Sequence, residues 1–491
     1  MTRQSLNING LDLEIEASAV EAVGVDAVRV SGRLVGLRSS AGFDKFYRHG
    51  WHSWSLAHWA DLGLNPYQIL VPGLQRQADD PRLAEVAGHV GSWVGALETS
   101  DGRALLLGAA GLDARVTADE HGMRGAAADD IEWVVLVGQA ETLLATYAKE
   151  LAKVFGSSKP SEIPNVWCSW NSFGPDIDQG LIRRAAAEVA PEEFDVCLID
   201  DGWQEGVGEW APNDKFADGM ELLASEIRGY GLTPGLWLSP FVVHNDLADT
   251  LSDLLVRTSD GALYVTGFNW DGVYHSLDLA KREAVDYAAQ SISQAVAWGY
   301  RFLKLDFLFA GAVNPLNPRP EFTYRKAAEV LRACAGEDVR ILACGAPIVP
   351  SIGVFDAIRV GSDVAPYWQN PLDRHVQDYS APGMRMAIST SLSRLWLAEA
   401  IDADPDMSYF SQNRNLLSEE DQSLQRSLAV ITGVKSSSVR VPELNPRERE
   451  TLRHFLQASH EITRISRYRF VVDGEPLDFS RASMDGVSGL S

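Results

Sequence analysis

Lys304 and Asp306 occupy alternate positions in RFLKLDFLFAG, the otherwise apolar run from Arg301 to Gly311. Strand side chains alternate with period two, so a buried strand here aims both charges the same way. An unpaired charge in an apolar core is costly, which puts the two at the open C-terminal end of a parallel strand, where barrel enzymes keep their chemistry. Polar residues close other apolar runs as well: Trp170 and Asn171 after NVWCS, Asp200 and Asp201 in IDDGWQ, Trp237 in GLWLSPF, Cys344 in RILACG, and Arg359 and Asp363 in RVGSDV. The set is rich in carboxylates, with one Lys, one Arg and no His. It lacks the Ser–His arrangement of acyl transfer and suits cleavage of a glycosidic bond, where one carboxylate attacks the anomeric carbon and another delivers a proton to the leaving oxygen. Other readings remain open on these residues alone. Lys304 and Asp306 can be a structural pair, Asp-Asp-Gly an ordinary turn, and Asp363 a helix N-cap. Lys304 can also be a Schiff-base amine, and paired acids can hold a divalent metal. Against these last two, no Gly-rich phosphate-gripping turn follows the late runs, and no His or Glu joins the aspartates.

These residues need a scaffold, and the chain supplies a periodic one. From the start to about Tyr147, short runs such as LDLEIEA, AVRVSGRLVGL, SWVGALE, RALLLGAA and IEWVVLVG are separated by Gly, Asp and Ser. That spacing predicts an all-β sandwich, closed by a helix over TLLATYAKELAKVFG and a linker at GSSKPSEIP. From Asn165 the pattern changes to strand and helix in turn, with the strand-like runs NVWCSWN, FDVCLIDD, TPGLWLSPF, RFLKLDF, RILACG, FDAIRV and RLWLAE. Over this length the alternation predicts a parallel sheet closed as a (β/α)8 TIM barrel. The gap between RILACG and FDAIRV is too short for a full helix. Beyond Ser438, NPRERETLRHFLQASHEI reads as a helix, YRFVVDGEPLDFS as a hairpin and SMDGVSGLS as a frayed end. The expected organisation is thus a β-sandwich over residues 1–155, a barrel over 165–438 and a small C-terminal appendage over 439–491.

The chain of 491 residues is long enough for two or three domains, and 46% hydrophobic and 22% charged residues are those of an ordinary globular protein. A net charge of −24 repels phosphate backbones and anionic lipid, so neither nucleic acid nor membrane is an expected partner. The start lacks a signal-peptide core and no apolar run spans a bilayer. Cys168, Cys197, Cys334 and Cys344 are scattered without metal-cage or disulfide spacing. A cytoplasmic protein is expected. The aromatic cluster GWHSWS, Gly50 to Ser55, carries His52 beside His49 but lacks metal spacing; Trp51 and Trp54 read as core residues or as a rim leaning over a neighbouring domain.

Taken together, WCSWNSF, IDDGWQ with GEWAPNDKF and GLWLSPF, KLDFLFAGA, LACGAPIVPSIGVFDAIRVGSDVAPYW and Asp404-Pro405-Asp406 resemble, in order, the motifs of glycoside hydrolase family 36, the α-galactosidases or melibiases. The resemblance runs from Trp167 to about Asp406, and GWHSWS resembles the family's N-terminal domain. It implies a retaining double displacement on small α-galactosides of the melibiose or raffinose type, without metal or cofactor, with Asp306 as nucleophile and Asp363 as acid and then base. It implies substrate contacts at Asp200, Asp201, Lys304 and Arg359, with Trp170, Trp270, Cys344 and Trp54 around the pocket. Lys304 is then expected to hold the pKa of Asp306 down. Asn171 stands where the family commonly has Tyr, and Ala403 where it has Asn; if both touch the pocket wall, an α-N-acetylgalactosaminide could be the ligand. Transfer to a sugar hydroxyl, or sugar binding without turnover, would use the same residues.

Overall fold

Leu11–Ala17 buries Leu11, Leu13, Ile15 and Ala17 while the residues between them face outward, the period-two pattern of a half-buried strand. The computed structural model describes residues 2–71, 75, 77–83, 86–157, 162–457 and 459–485. Across its first part, strands from Thr2–Ile8 to Gly122–Gln139 join in one continuous eleven-stranded antiparallel sheet. Its spine is the pair Ala27–Ser39 and Gly122–Gln139, whose register shifts between Ala126 and Ile131, an irregularity that bends long strands. The helix Ala140–Phe155 follows and ends at Gly156 in the left-handed region, φ 69°. The expected linker falls partly on residues 158–161, outside the described residues.

Eight parallel strands make the second sheet: Val166–Cys168, Val196–Ile199, Thr233–Leu238, Phe302–Leu305, Arg340–Ala343, Ala357–Arg359, Asp402–Asp404 and Ser436–Ser437. Neighbours in the sheet follow chain order, with the eighth strand beside the first. A parallel bridge from Ser408 to Ser437 ties the seventh strand's continuation to the eighth, so the sheet curls toward closure. The central strands are buried along their whole length, as a sheet covered by crossover helices requires. Those helices include Gln179–Val189, Met220–Gly229, Arg282–Ala297, Pro320–Ala335, Met384–Ser393 and Glu419–Thr432. After the fifth strand only the short Ile348–Ser351 helix fits, as its short gap demands.

One expected strand is displaced. RLWLAE is not the seventh strand but a 3₁₀ turn over Leu395–Glu399, and the strand is Asp402–Asp404, which pairs with Ala357–Arg359. Trp396 and Leu397 are apolar because they pack into the core, not because they lie in a sheet.

At the C-terminal end, the helix Pro446–Gln457 and the hairpin of Arg469–Val472 and Glu475–Asp478 form where expected, and Ile462–Arg464 adds a third antiparallel strand. The last residues of SMDGVSGLS, 486–491, lie outside the described residues.

Candidate active site

A cavity of about 560 Å³ opens where the ends of the first four, the sixth and the seventh parallel strands meet the Trp54 loop of the antiparallel sheet. Trp54, Trp170, Asp200, Asp201, Trp270, Lys304, Asp306, Arg359 and Asp363 all line it. Cys344 does not; it is buried behind the lining, close enough to Asp306, Arg359 and Lys304 to interact with them electrostatically.

Asp306 follows the fourth strand directly. Both of its oxygens are held: Oδ1 accepts the Phe307 amide at 2.8 Å and Oδ2 the Trp237 indole at 3.1 Å. The expected partner Lys304 stands 3.9 Å away and donates instead to Asp200 Oδ2 at 2.8 Å, which also accepts the Cys168 thiol at 3.2 Å. Burial pushes the Asp306 carboxyl above the ordinary aspartate range, Lys304 pulls it back and Asp363 adds to the rise. The expectation that Lys304 sets a low pKa is therefore corrected, because desolvation outweighs a cation whose closest contact is elsewhere. Burial alone would lower the Lys304 ammonium, but Asp200 and then Asp306 hold it well above its usual value, so it stays a cation. That rules against a neutral Schiff-base amine.

Asp201 is fixed from two sides, with Gln204 Nε2 at 2.6 Å and Trp270 Nε1 at 2.7 Å. Burial raises its pKa against both donors. Trp270 reaches it from a two-residue hairpin turn between Val265–Asn269 and Gly272–Ser276, with φ 51° at Trp270 and 59° at Asp271. Such turns favour Asn-Gly, so a Trp held there is strained backbone at a ligand-facing position. Phe307, φ 51°, and Asp406, φ 77°, are two more left-handed non-glycine residues against the cavity.

Arg359 ends the sixth strand, and its Nη2 bridges Asp363 Oδ1 at 2.9 Å and Asp406 Oδ2 at 2.7 Å. Asp406 Oδ2 also accepts the Val364 amide at 2.8 Å, gripping the backbone beside Asp363. Burial, opposed by Arg359 and reinforced by Asp363 and Asp404, pushes the Asp406 carboxyl up to about 6.

The Trp54 wall comes from the loop after Lys45–Arg48. Arg394, fully buried, donates to the carbonyls of Gly50, His52, Ser53 and Ser55 and to that of Val360 beside Arg359. Gly345 leaves room for the indole: a Cβ there would stand 3.0 Å from the Trp54 ring, and its φ is 54°.

The melibiase family model matches residues 142–307. TtGalA, the α-galactosidase of Thermus thermophilus solved with p-nitrophenyl α-D-galactopyranoside, is 41% identical, with 98% of this chain and 100% of that chain covered at a TM-score of 0.94. The same enzyme with stachyose matches at 42% identity over 93% of this chain and 99% of that one, TM-score 0.89. The chain belongs to glycoside hydrolase family 36, the melibiases. A more remote relative, the α-galactosidase AgaA of Geobacillus stearothermophilus, is 26% identical over 172 residues, which span 33% of this chain and 23% of AgaA's length.

Within this melibiase-family chain, several lining residues stand outside the expected set: Gln77, Phe307, Tyr409 and Asp406 in its role beside Arg359. Two of them carry a signal: Phe307 closes KLDF, and Asp406 the Asp-Pro-Asp motif. Of the two departures from the family pattern, Asn171 does line the cavity and donates to Tyr409 Oη at 3.0 Å. Ala403 does not; it is fully buried in the seventh strand, paired with Ile358, so the expectation that both positions touch the pocket wall holds for Asn171 alone.

Proposed function

We propose that the chain is a retaining, exo-acting α-galactosidase that removes terminal α-galactosyl residues from small oligosaccharides. The observation that carries this is the convergence of Asp306 and Asp363 on one cavity with Asp200, Asp201, Lys304 and Arg359, in a chain 41% identical along its length to an α-galactosidase solved with an aryl α-galactoside. Asp306 attacks the anomeric carbon as the glycosidic bond breaks, while Asp363 gives its proton to the departing oxygen. Water then adds to the glycosyl-enzyme, Asp363 takes the water's proton, and Asp306 leaves as a carboxylate. Retention by this route calls for carboxyl groups roughly 5 Å apart. Asp200 and Asp201 accept from the axial O4 and from O6, with Lys304 and Arg359 at the ring hydroxyls. A substrate lacking a hydroxyl that these buried groups expect loses about 1–3 kcal/mol for each unpaired acceptor. Trp170, Trp270 and Trp54 offer apolar faces to the sugar, and Cys344 supports the floor from behind.

The organisation that goes with this reading is a β-sandwich over residues 1–155, a (β/α)8 barrel over 165–438 and an appendage over 439–491. Four unpaired cysteines suit a reducing, cytoplasmic setting.

The direct test is turnover of an aryl α-galactoside. Asp306→Ala is expected to abolish it, and undiminished turnover would end the proposal. Asp363→Ala is expected to slow a poor leaving group far more than an activated aryl one, because only the former needs the proton; equal losses on both would remove Asp363 from the acid role.

A further inference from the structure

Outside the cavity lining, His454 in the helix Pro446–Gln457, His460 just beyond it and Asp473 between the last two strands come together. One donor atom from each lies within 4.8 Å of the other two. His460 is the centre of the group. Its side chain is only 8% exposed, and its Nδ1 lies 2.6 Å from Asp473 Oδ2. The His454 ring stands edge-on to it, with centroids 5.7 Å apart at 88°. Asp473 is locked in turn: its Oδ1 accepts the Glu461 amide at 2.9 Å, and its φ is 51°. Nδ1 of His460 and Oδ2 of Asp473 therefore face one point, where a divalent cation would take the place of the proton they share.

We infer that His454, His460 and Asp473 form a site for a divalent transition cation of the Zn²⁺ class, which clamps the Pro446–Gln457 helix to the C-terminal strands. Two imidazoles and a carboxylate are a donor set that suits Zn²⁺ and not Mg²⁺ or Ca²⁺, which favour all-oxygen shells. Zinc–nitrogen bonds of about 2.0–2.1 Å in a tetrahedron need donors about 3.3 Å apart, so the His460–Asp473 pair opens from 2.6 Å as the cation replaces the shared proton, and the exposed His454 side chain closes from its side. Three protein ligands leave the fourth position to water. The site takes no part in glycoside cleavage.

The test uses the full-length chain without a histidine tag, stripped with chelator and titrated calorimetrically with Zn²⁺, with visible absorption of the Co²⁺ form as a second readout. One ion per chain is expected in the micromolar range, with a raised melting temperature and no change in turnover of an aryl α-galactoside. His454→Ala and, separately, Asp473→Asn are each expected to weaken binding by about tenfold or more. The idea is overturned if no saturable binding occurs at micromolar Zn²⁺, or if binding persists undiminished in a His454→Ala protein whose circular dichroism matches the parent.

Discussion

At the scale of single residues, the most unusual contact is the one guanidinium nitrogen of Arg359 that serves both Asp363 and Asp406. Asp406 itself is held in a left-handed conformation by its own amide donating to Asp404 Oδ1 at 2.9 Å. Its carboxylate thus does two jobs: it shares Arg359 with Asp363, and through Val364 it fixes the backbone from which Asp363 projects. Because burial pushes the Asp406 carboxyl up to about 6, protonation on the acid side withdraws an acceptor from Arg359 and leaves it to Asp363. The profile of kcat/KM against pH is therefore expected to carry an inflection near 6 that Asp406→Asn abolishes. That variant should also lose up to about 100-fold in kcat, since a small misplacement of the proton donor is enough to do so. An inflection that survives the substitution would assign it elsewhere. Lys304 and Asp306 were legible in the sequence because two charges at period two in an apolar run admit few placements. Trp270 was reachable only through the family resemblance, because its turn uses Trp-Asp where turn chemistry favours Asn-Gly.

At the scale of elements, the Trp54 loop has no regular structure of its own and is held to the barrel by Arg394. Five carbonyls surround this guanidinium, with no ion-pair partner among the described residues, and burial brings its pKa down to about 10, still a cation at neutral pH. Arg394→Met would leave those carbonyls buried and unpaired, and a loss of about 3 kcal/mol or more in unfolding free energy is expected. The loss should come with a raised KM for aryl α-galactosides at a less altered kcat, since Trp54 walls the cavity while the two carboxylates are held by other elements. Chemical denaturation and steady-state kinetics on the same preparation check both; an unchanged KM in a folded variant would detach Arg394 from Trp54. The same stretch explains why the seventh strand was misplaced. RLWLAE has the apolar content of a strand because it packs under this loop, with the Trp396 indole donating to Tyr47 Oη at 2.9 Å, whereas the true strand, Asp-Ala-Asp, places acids in a sheet and carries no strand signal. The eighth strand, Ser436–Ser437, is too short and polar for periodicity to find. The long βα units were legible because each helix repeats its apolar face over several turns.

Across the whole molecule, a single apolar core runs from Ile8 in the antiparallel sheet through the parallel strands to Leu456, so the boundary visible in the sequence is not a boundary in packing. Charged groups are buried at that junction too. Glu321, at the start of the Pro320–Ala335 helix, accepts the indoles of Trp51 at 3.0 Å and Trp93 at 2.8 Å, and burial pushes its carboxyl up to about 7. His52 and His58 are buried with pKa values brought down to about 3, and His49 lies well below its usual range. These groups pull stability in opposite directions. Glu321 binds its proton more tightly folded than unfolded, so its contribution is present below its unfolded pKa near 4.5 and is lost as pH rises through 7. The histidines bind theirs more tightly unfolded, so each costs stability as pH falls below about 6.5, for His52 and His58 down toward 3, by about 1.4 kcal/mol per pH unit. Between 7 and 4.5 Glu321 offsets part of the histidine loss, and below that it no longer does, so stability should fall more steeply on the acid side of 4.5. His58 is the cleanest probe, because its Nδ1 meets only the Met484 carbonyl at 3.2 Å and it lies outside the cavity lining. His58→Gln is expected to keep that hydrogen bond and to lower the slope of unfolding free energy against pH by about 1.4 kcal/mol per unit between 6 and 4. Urea melts at four or five pH values would measure it, and an unchanged slope would mean that His58 takes up its proton without unfolding.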